Sequence, residues 1–363
     1  MNEKTAPFGA VFLLFRPKTL ILQTKPDKMT QEELKKTLSE TSQVFILTDE
    51  NVAMFWLPET EHWLGCEHAV EIVLKPGEKY KTLQTAQRIW KTLMKYNADR
   101  QAVMVNLGGG VITDLGGFVA SCYHRGICFI NVPTTLLAMV DAAIGGKTGV
   151  DFGGCKNQIG TFADPLEVWI SPIYLSTLSQ REILSGLAEM MKYGFIAHPP
   201  MLKVNPDNYQ EYLLAAGKIK REIVAKDFKE QGLRKVLNFG HTLGHAIESH
   251  SFAKDNPLLH GEAVALGMGA ALWLSVQLCR LDEQVLHDYE KQLPFLLSEA
   301  GIGLGVADIE PVIGYLVHDK KNASGKCQFV LLEAPGQPIL DVEVAPELIR
   351  QSLAYIYNKV FEG

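Results

Sequence analysis

The sequence has no close pair of cysteines. Six are scattered over 363 residues, at 66, 122, 128, 155, 279 and 327, and no two form C-x-x-C. Neither a disulfide framework nor a thiolate zinc site is therefore indicated. An excess of positive charge is also missing. Thirty-five Lys and Arg stand against 41 Asp and Glu, a formal net charge of −6. Nucleic acid, whose phosphates must be neutralised by basic residues, is not the expected partner, although a local basic pocket for a small anion is compatible with this balance. Internal repeats and low-complexity tracts are absent from the sequence. Neither of two apolar runs reads as a targeting or membrane segment. "APFGAVFLLF" (6–15) has the look of a signal h-region, but Glu3 and Lys4 flank it and no clean small-residue cleavage site follows. "AVALGMGAALWLSVQLC" (263–279) carries Ser275 and Gln277. A span needs roughly 20 apolar residues, so a buried helix is expected and a membrane partner is not. A reducing cytoplasm is the expected compartment.

What is present reads as a globular α/β chain. The hydrophobic share of 47% and the charged share of 21% are ordinary for a folded protein, and 363 residues suffice for two domains and a large core. "QVFILTD", "AVEIVL", "QAVMVNL", "CFINV" and "EVWIS" read as buried strands. "TLQTAQRIWKTLMKY" has helical spacing at Ile89, Trp90, Leu93 and Met94. Alternating strands and helices predict a parallel sheet. Beyond about residue 178 the pattern is helical nearly throughout, which places a boundary near "YLSTLSQRE". The expected domains are an α/β unit over 1–178 and a helical unit over 179–363, with a site in the cleft between them.

Two glycine loops could receive an anion. "VNLGGGVITDLGGF" follows a strand and opens a helix, so its backbone can approach a ligand at a helix N-terminus. It is not the usual dinucleotide fingerprint, because Thr113 stands where the last glycine of G-x-G-x-x-G would fall; a tight turn with close helix packing is the plainer reading. "IGGKTG" (144–149) resembles the end of a P-loop, but Asp141 occupies the position of the first glycine, which excludes that motif. A lysine among glycines remains, and "PTTLL" (133–137) adds hydroxyls at a strand end, where ligands of α/β sheets bind.

Three polar stripes lie in the second half. In "REILSGLAEMMKYG", helical geometry places Glu182, Ser185, Glu189 and Lys192 on one side and Ile183, Leu187, Met190 and Met191 opposite. An ordinary solvated helix face has the same pattern. In "RKVLNFGHTLGHAIE", a single helix would align Arg234, Asn238, His241 and His245 on one narrow face. Histidines four apart can bind zinc, but Thr242 stands where the H-E-x-x-H glutamate would be, and an unliganded His pair remains an alternative. His260 in "LHGEAV" is either structural or the third member of a His/His/carboxylate site with an open position.

Taken in order, "PGEKYKT", "NLGGGVITDLGGF", "RGICFINVPTTLLAMVDAAIGGKTGVDFGGCKNQIGTF", "GLAEMMKYG", "EQGLRKVLNFGHTLGHAIE" and "LHGEAVALGM" resemble the 3-dehydroquinate synthase family over most of the chain. The resemblance implies a Rossmann-like parallel-sheet NAD-binding domain followed by an all-helical metal- and substrate-binding domain. It also implies the conversion of the seven-carbon sugar-acid phosphate DAHP to 3-dehydroquinate and phosphate, in the shikimate pathway. NAD would oxidise an alcohol transiently, phosphate would be eliminated and the ketone reduced; ring opening and an intramolecular aldol closure would follow. The temporary ketone acidifies the neighbouring C–H, and a divalent metal, zinc or cobalt, polarises the reacting oxygen.

Site residues follow from the same motifs. The resemblance implies Glu189, His241 and His260 as metal ligands and His245 as the histidine facing substrate. It implies substrate-pocket roles for Lys147, Asn157, Lys192, Lys220, Arg234 and Asn238. Arg125 resembles an arginine that reaches a neighbouring subunit's site, which implies a homodimer. Lys321, or Lys320 beside it, would close on the substrate. NAD-side positions are Asp49, Glu78, Lys81, Gly109, Gly110, Val111, Asp114 and Thr134. Thr135, Leu137, Asp141, Lys156, Thr177, Leu178 and Glu182 complete that side, together with Lys147. These lysines and arginines would give an otherwise acidic chain a local positive field for a substrate carrying carboxylate and phosphate.

The sequence departs from the family pattern at "KDFKEQGLR", a run usually richer in Asp, Glu and Arg, at His124, and in its apolar start; none removes a core functional residue. Three other readings compete. Another sugar phosphate cyclase would alter the carboxylate-side positions, whereas Arg234, Asn238 and "DKK" are kept. A metal-dependent polyol dehydrogenase of related architecture would release NADH steadily. A silent binding paralogue would have no need of the intact Glu189, His241 and His260.

Overall fold

The computed structural model describes residues 29–361 except 154, 302 and 318–326. The apolar run at 6–15 and the lysines at 320 and 321 lie outside the described residues.

The first half runs α1 (Gln31–Ser39), β1 (Val44–Asp49), α2 (Glu50–Leu64), β2 (Val70–Leu74), α3 (Leu83–Lys95), β3 (Val103–Gly108), α4 (Gly110–Cys122) and β4 (Cys128–Pro133). A hairpin of β5 (Lys147–Phe152) and β6 (Cys155–Phe162) and the short β7 (Glu167–Val168) complete it. Five strands form a wholly parallel sheet in the order β2-β1-β3-β4-β7. Alternation sorts the side chains. Phe45, Leu47, Met104 and Phe129 point to one face, under Ile89, Leu93, Leu115 and Val119 of α3 and α4. Ile46, Val103, Val105, Ile130 and Val132 point to the other, in a core that runs on without a break into the helical half. Chain order reverses between β1 and β3. At such a switch point a crevice opens beyond the strand ends, here at Asp49 and Gly108.

The second half contains α5 (Gln180–Ile196), α6 (Tyr209–Lys226), α7 (His241–Ser251), α8 (His260–Cys279), α9 (Glu283–Glu290), α10 (Leu293–Leu296) and α11 (Ile309–Val317). The antiparallel hairpin of β8 (Cys327–Ala334) and β9 (Gln337–Val344) interrupts the helices before α12 (Pro346–Phe361). Helix α8 is long and apolar enough to cross a membrane, but most of it is buried as a core helix against α5, α7 and α12.

One local expectation needs correction. Residues 234–248 are not a single helix: a 3-10 turn, Leu233–Asn238, is separated from α7 by Phe239 and Gly240. Gly240 has φ 77° and caps the new helix in the left-handed region. Packing forces the break. A Cβ on Gly240 would sit 2.4 Å from Cγ of Met268, so only glycine lets this corner touch α8. Arg234 and Asn238 therefore reach the cleft from a turn, and His241 and His245 from the first turns of a separate helix.

Candidate active site

A cleft of about 1200 Å³ lies between the sheet's carboxyl ends and helices α5–α8. All the residues singled out in the sequence line it except Glu189, Arg125 and Lys321. Glu189 forms its fully buried floor, beneath residues that do line it. Arg125 is exposed on the turn after α4, at the opposite end of that helix from the glycine loop. Lys321 lies outside the described residues.

On the sheet side, Asp49 ends β1 and caps α2, accepting N–H bonds from Asn51 and Val52 at 3.0 and 3.1 Å. Burial pushes its pKa up against those bonds. Gly109 precedes α4, whose N-terminus has no side-chain cap and so leaves N–H groups for an anion. A Cβ on Gly109 would stand 2.9 Å from Cγ2 of Thr135, so the loop is as close to the next strand end as backbone permits. Lys81, almost fully buried, donates to Asp114 Oδ2 and Asn157 Oδ1, both at 2.7 Å. Val111, Thr134, Leu137, Thr177, Leu178 and Glu182 complete this wall.

Across the cleft, the Lys192 face of α5 is buried rather than solvated. Asp141 gathers Lys192 Nζ at 3.3 Å, Lys220 Nζ at 2.9 Å and the Tyr193 hydroxyl at 2.8 Å. Burial would raise the Asp141 carboxyl, but the Lys192 and Lys220 ammoniums outweigh it and hold it far below the usual range. Burial pushes Lys220 down to about 8, against the pull of Asp141 and aided by Lys192. The buried Arg234 guanidinium donates to the carbonyls of Phe228 at 2.6 Å and Gly145 at 2.8 Å, while its Nε has no hydrogen-bond partner.

The histidines converge on Glu189. Nε2 of His241 and Nε2 of His260 lie 3.2 and 3.3 Å from its Oε1, and Lys192 Nζ lies 2.5 Å from Oε2. Glu189 is fully buried, and these three side chains are its ion-pair partners. Each ring is held from behind: Nδ1 of His241 meets the Phe239 carbonyl at 3.0 Å, and Nδ1 of His260 meets Glu248 Oε2 at 3.1 Å. Both Nε2 atoms are thus turned to one point, as in metal-binding histidines whose other ring nitrogen is hydrogen-bonded. Burial lowers the His241 pKa, keeping it a neutral donor. Burial opposes charge on His260 too, but Glu248 and Glu189 lift it to about 10. The two carboxylates thus favour positive charge here, which a divalent cation would supply; the donor set fits a metal. The ligand atoms of His241, His245 and His260 also lie within 4.8 Å of one another. Two ligand sets share His241 and His260; Glu189 brings the anionic charge that His245 does not.

Two acidic groups escaped the sequence reading. Glu230 accepts from Lys147 and, at 2.7 Å, from Asn238 Nδ2. Its run, "KDFKEQGLR", offered no periodic signal. Glu248 accepts from Lys156 at 2.7 Å as well as from His260. The signal for it existed: His241, His245 and Glu248 continue one helical stripe at i, i+4 and i+7.

Sequence comparison fits the site. Residues 71–185 match the profile described as 3-dehydroquinate synthase N-terminal, and 186–322 match the C-terminal one. The chain belongs to the 3-dehydroquinate synthase family. It is 40% identical over 349 residues to the 3-dehydroquinate synthase of Parabacteroides distasonis, covering 92% of this chain and 97% of that one. Against that of Methylacidiphilum infernorum it is 42% identical, covering 76% and 77%. Among solved structures, a 2-epi-5-epi-valiolone synthase from Streptomyces hygroscopicus with NAD+ and Zn2+ bound superposes with a TM-score of 0.77 at 25% identity, over 88% of this chain and 92% of that one. A 2-deoxy-scyllo-inosose synthase complexed with carbaglucose-6-phosphate, NAD+ and Co2+ gives 0.78 at 24%, over 90% and 95%, and shares the fold.

Proposed function

We propose that this protein converts DAHP to 3-dehydroquinate and phosphate, a carbon–oxygen lyase reaction that depends on NAD and a divalent metal. The observation that carries the reading is one cleft with a glycine loop at an uncapped helix N-terminus on one wall and a Glu189, His241 and His260 cluster on the other. Lys147, Lys192, Lys220 and Arg234 stand among them. The dinucleotide-binding half runs to about residue 178 and the metal- and substrate-binding half follows, although Lys147 and Asn157 of the first half face the substrate. The functional unit is a homodimer in the cytoplasm, with Arg125, exposed on this chain, reaching the second copy's cleft.

Glu189, His241 and His260 hold the metal, and Asp49, Gly109, Gly110 and Lys81 hold the dinucleotide. When bound, NAD exchanges hydride with a substrate alcohol and the metal polarises the oxygen that reacts. The chain's own groups do the rest. Lys147, Lys192, Lys220 and Arg234 bind the substrate's carboxylate and phosphate, which fixes its orientation. Asn238 and Lys147 are held in position by Glu230. His245 stands with its ring centroid 5.2 Å from that of His241 and 5.6 Å from that of His260, where it can take or return a proton at the substrate.

A second reading, a cyclase acting on a neutral sugar phosphate, draws on the fold shared with the inosose and valiolone synthases. Arg234 and Asn238, retained at carboxylate-side positions, favour DAHP. A polyol dehydrogenase would accumulate NADH. The test is phosphate release from DAHP by purified protein with NAD+ and zinc or cobalt, without net NADH. No release with metal confirmed bound sinks the synthase reading.

A further inference from the structure

We propose that Glu248 is a positioning residue that couples metal binding to dinucleotide binding. The inference rests on the metal and NAD assignments above and concerns how the two sites communicate. Glu248 is buried on α7 at 2% exposure. Its two oxygens serve different neighbours: Oε2 meets Nδ1 of His260 at 3.1 Å, and Oε1 accepts from Nζ of Lys156 at 2.7 Å. Lys156, on β6, also lies 3.1 Å from Glu78, and Glu78 lies 3.8 Å from Lys81. Lys81 donates at 2.7 Å to Asp114 in the first turns of α4, the helix behind the glycine loop. An unbroken run of charged contacts thus leads from a metal ligand to the dinucleotide wall, and Glu248 is its joint.

A carboxylate is rigid and planar, so fixing one oxygen fixes the other. A cation on Nε2 of His260 makes the Nδ1–H a stronger donor to Glu248, which holds the carboxylate in place for Lys156. A dinucleotide seated against Lys156 and Lys81 fixes the same carboxylate from the other side and orients His260. Whichever ligand binds first orders side chains that the second needs, and the coupling is reciprocal by linkage.

The test is binding alone, on chelator-stripped full-length protein. Zinc affinity is read by competition with a chromogenic chelator, with and without NAD+. NAD+ affinity is read by calorimetry, with and without zinc. Wild type is expected to bind each ligand at least about fivefold more tightly in the presence of the other, the lower end of ordinary coupling. Glu248→Gln is expected to weaken zinc binding about 10–100-fold, as loss of an outer-shell partner does, and to reduce the coupling ratio to about one. Lys156→Gln, at a half-buried position, breaks the link at its other end. It should keep zinc affinity within about threefold while also abolishing the coupling. It carries the test if Glu248→Gln does not fold. Wild type that binds both ligands independently, or either variant with its coupling intact, overturns the proposal. Cooperative binding without phosphate release from DAHP would overturn the synthase reading and leave the coupling standing.

Discussion

Nε2 of His241 stands 3.2 Å from Oε1 of the buried Glu189, while the other ring nitrogen is taken by the Phe239 carbonyl. The proposed function gives different work to two histidines one helical turn apart. His241→Ala is expected to lose bound zinc, measured by atomic absorption after dialysis. His245→Ala should keep its zinc and lose about 10²–10⁴ in kcat, the usual worth of a proton-transfer group. Equal metal loss in both variants would show that the division is wrong.

Lys220 carries a stability cost that depends on pH. Its pKa falls from 10.5 to about 8 in the folded chain because it is buried. Between those values the unfolded chain binds more protons than the folded one, so stability rises with pH across that window. The cost is full below about pH 8 and gone above 10.5. The stability difference between wild type and Lys220→Met is therefore expected to move in favour of wild type by about 1–3 kcal/mol as the pH rises from about 8 to 10.5, read as a gap in urea denaturation. KM of the variant for the anionic substrate should rise. A gap that is constant with pH would contradict this account.

Gly240→Ala attacks the corner that separates Asn238 from His241. The new Cβ would meet Met268 Cγ at 2.4 Å and its backbone nitrogen at 2.9 Å, with φ at 77°. Overpacking and left-handed strain together should cost about 2–4 kcal/mol, read from the urea midpoint. A loss below about 0.5 kcal/mol, the range of ordinary surface changes, would mean the corner can relax.

Asp49 caps α2 and is proposed also to bind the dinucleotide; a substitution pair can separate the two. As the cap of α2 it accepts two backbone N–H bonds, which asparagine can also do. Asp49→Asn should leave the unfolding midpoint nearly unchanged yet weaken NAD+ binding about 10–100-fold, through the lost charged hydrogen bond to a ribose hydroxyl. Asp49→Ala should lose about 1 kcal/mol of stability in addition. Unchanged NAD+ affinity in both would confine Asp49 to capping.

Much of the architecture was legible in the sequence because its signals are local. Apolar runs bounded by turns marked the sheet strands, and the end of strand alternation near residue 178 marked the change to helices from Gln180. The β8–β9 hairpin left no comparable impression. Motif order carried the family and, through it, the positions that line the cleft. The polar stripe of α5 was visible too, but periodicity cannot tell a solvated face from a buried one; only the packing of α8 and α7 on α5 makes Glu189 and Lys192 interior.

By itself, then, the sequence determined the strand–helix order, the polar stripe of each helix and the kinship, all properties of residues near one another in the chain. Tertiary structure decided the rest. Contact with Met268 splits residues 234–248 at Gly240, where helical spacing alone drew one face. Glu230 gathers Lys147 from 83 residues away, and Glu248 gathers Lys156 from 92. Glu248 is buried and needs a counter-charge, whereas Lys147 stays exposed; which charges meet is fixed only when the elements pack.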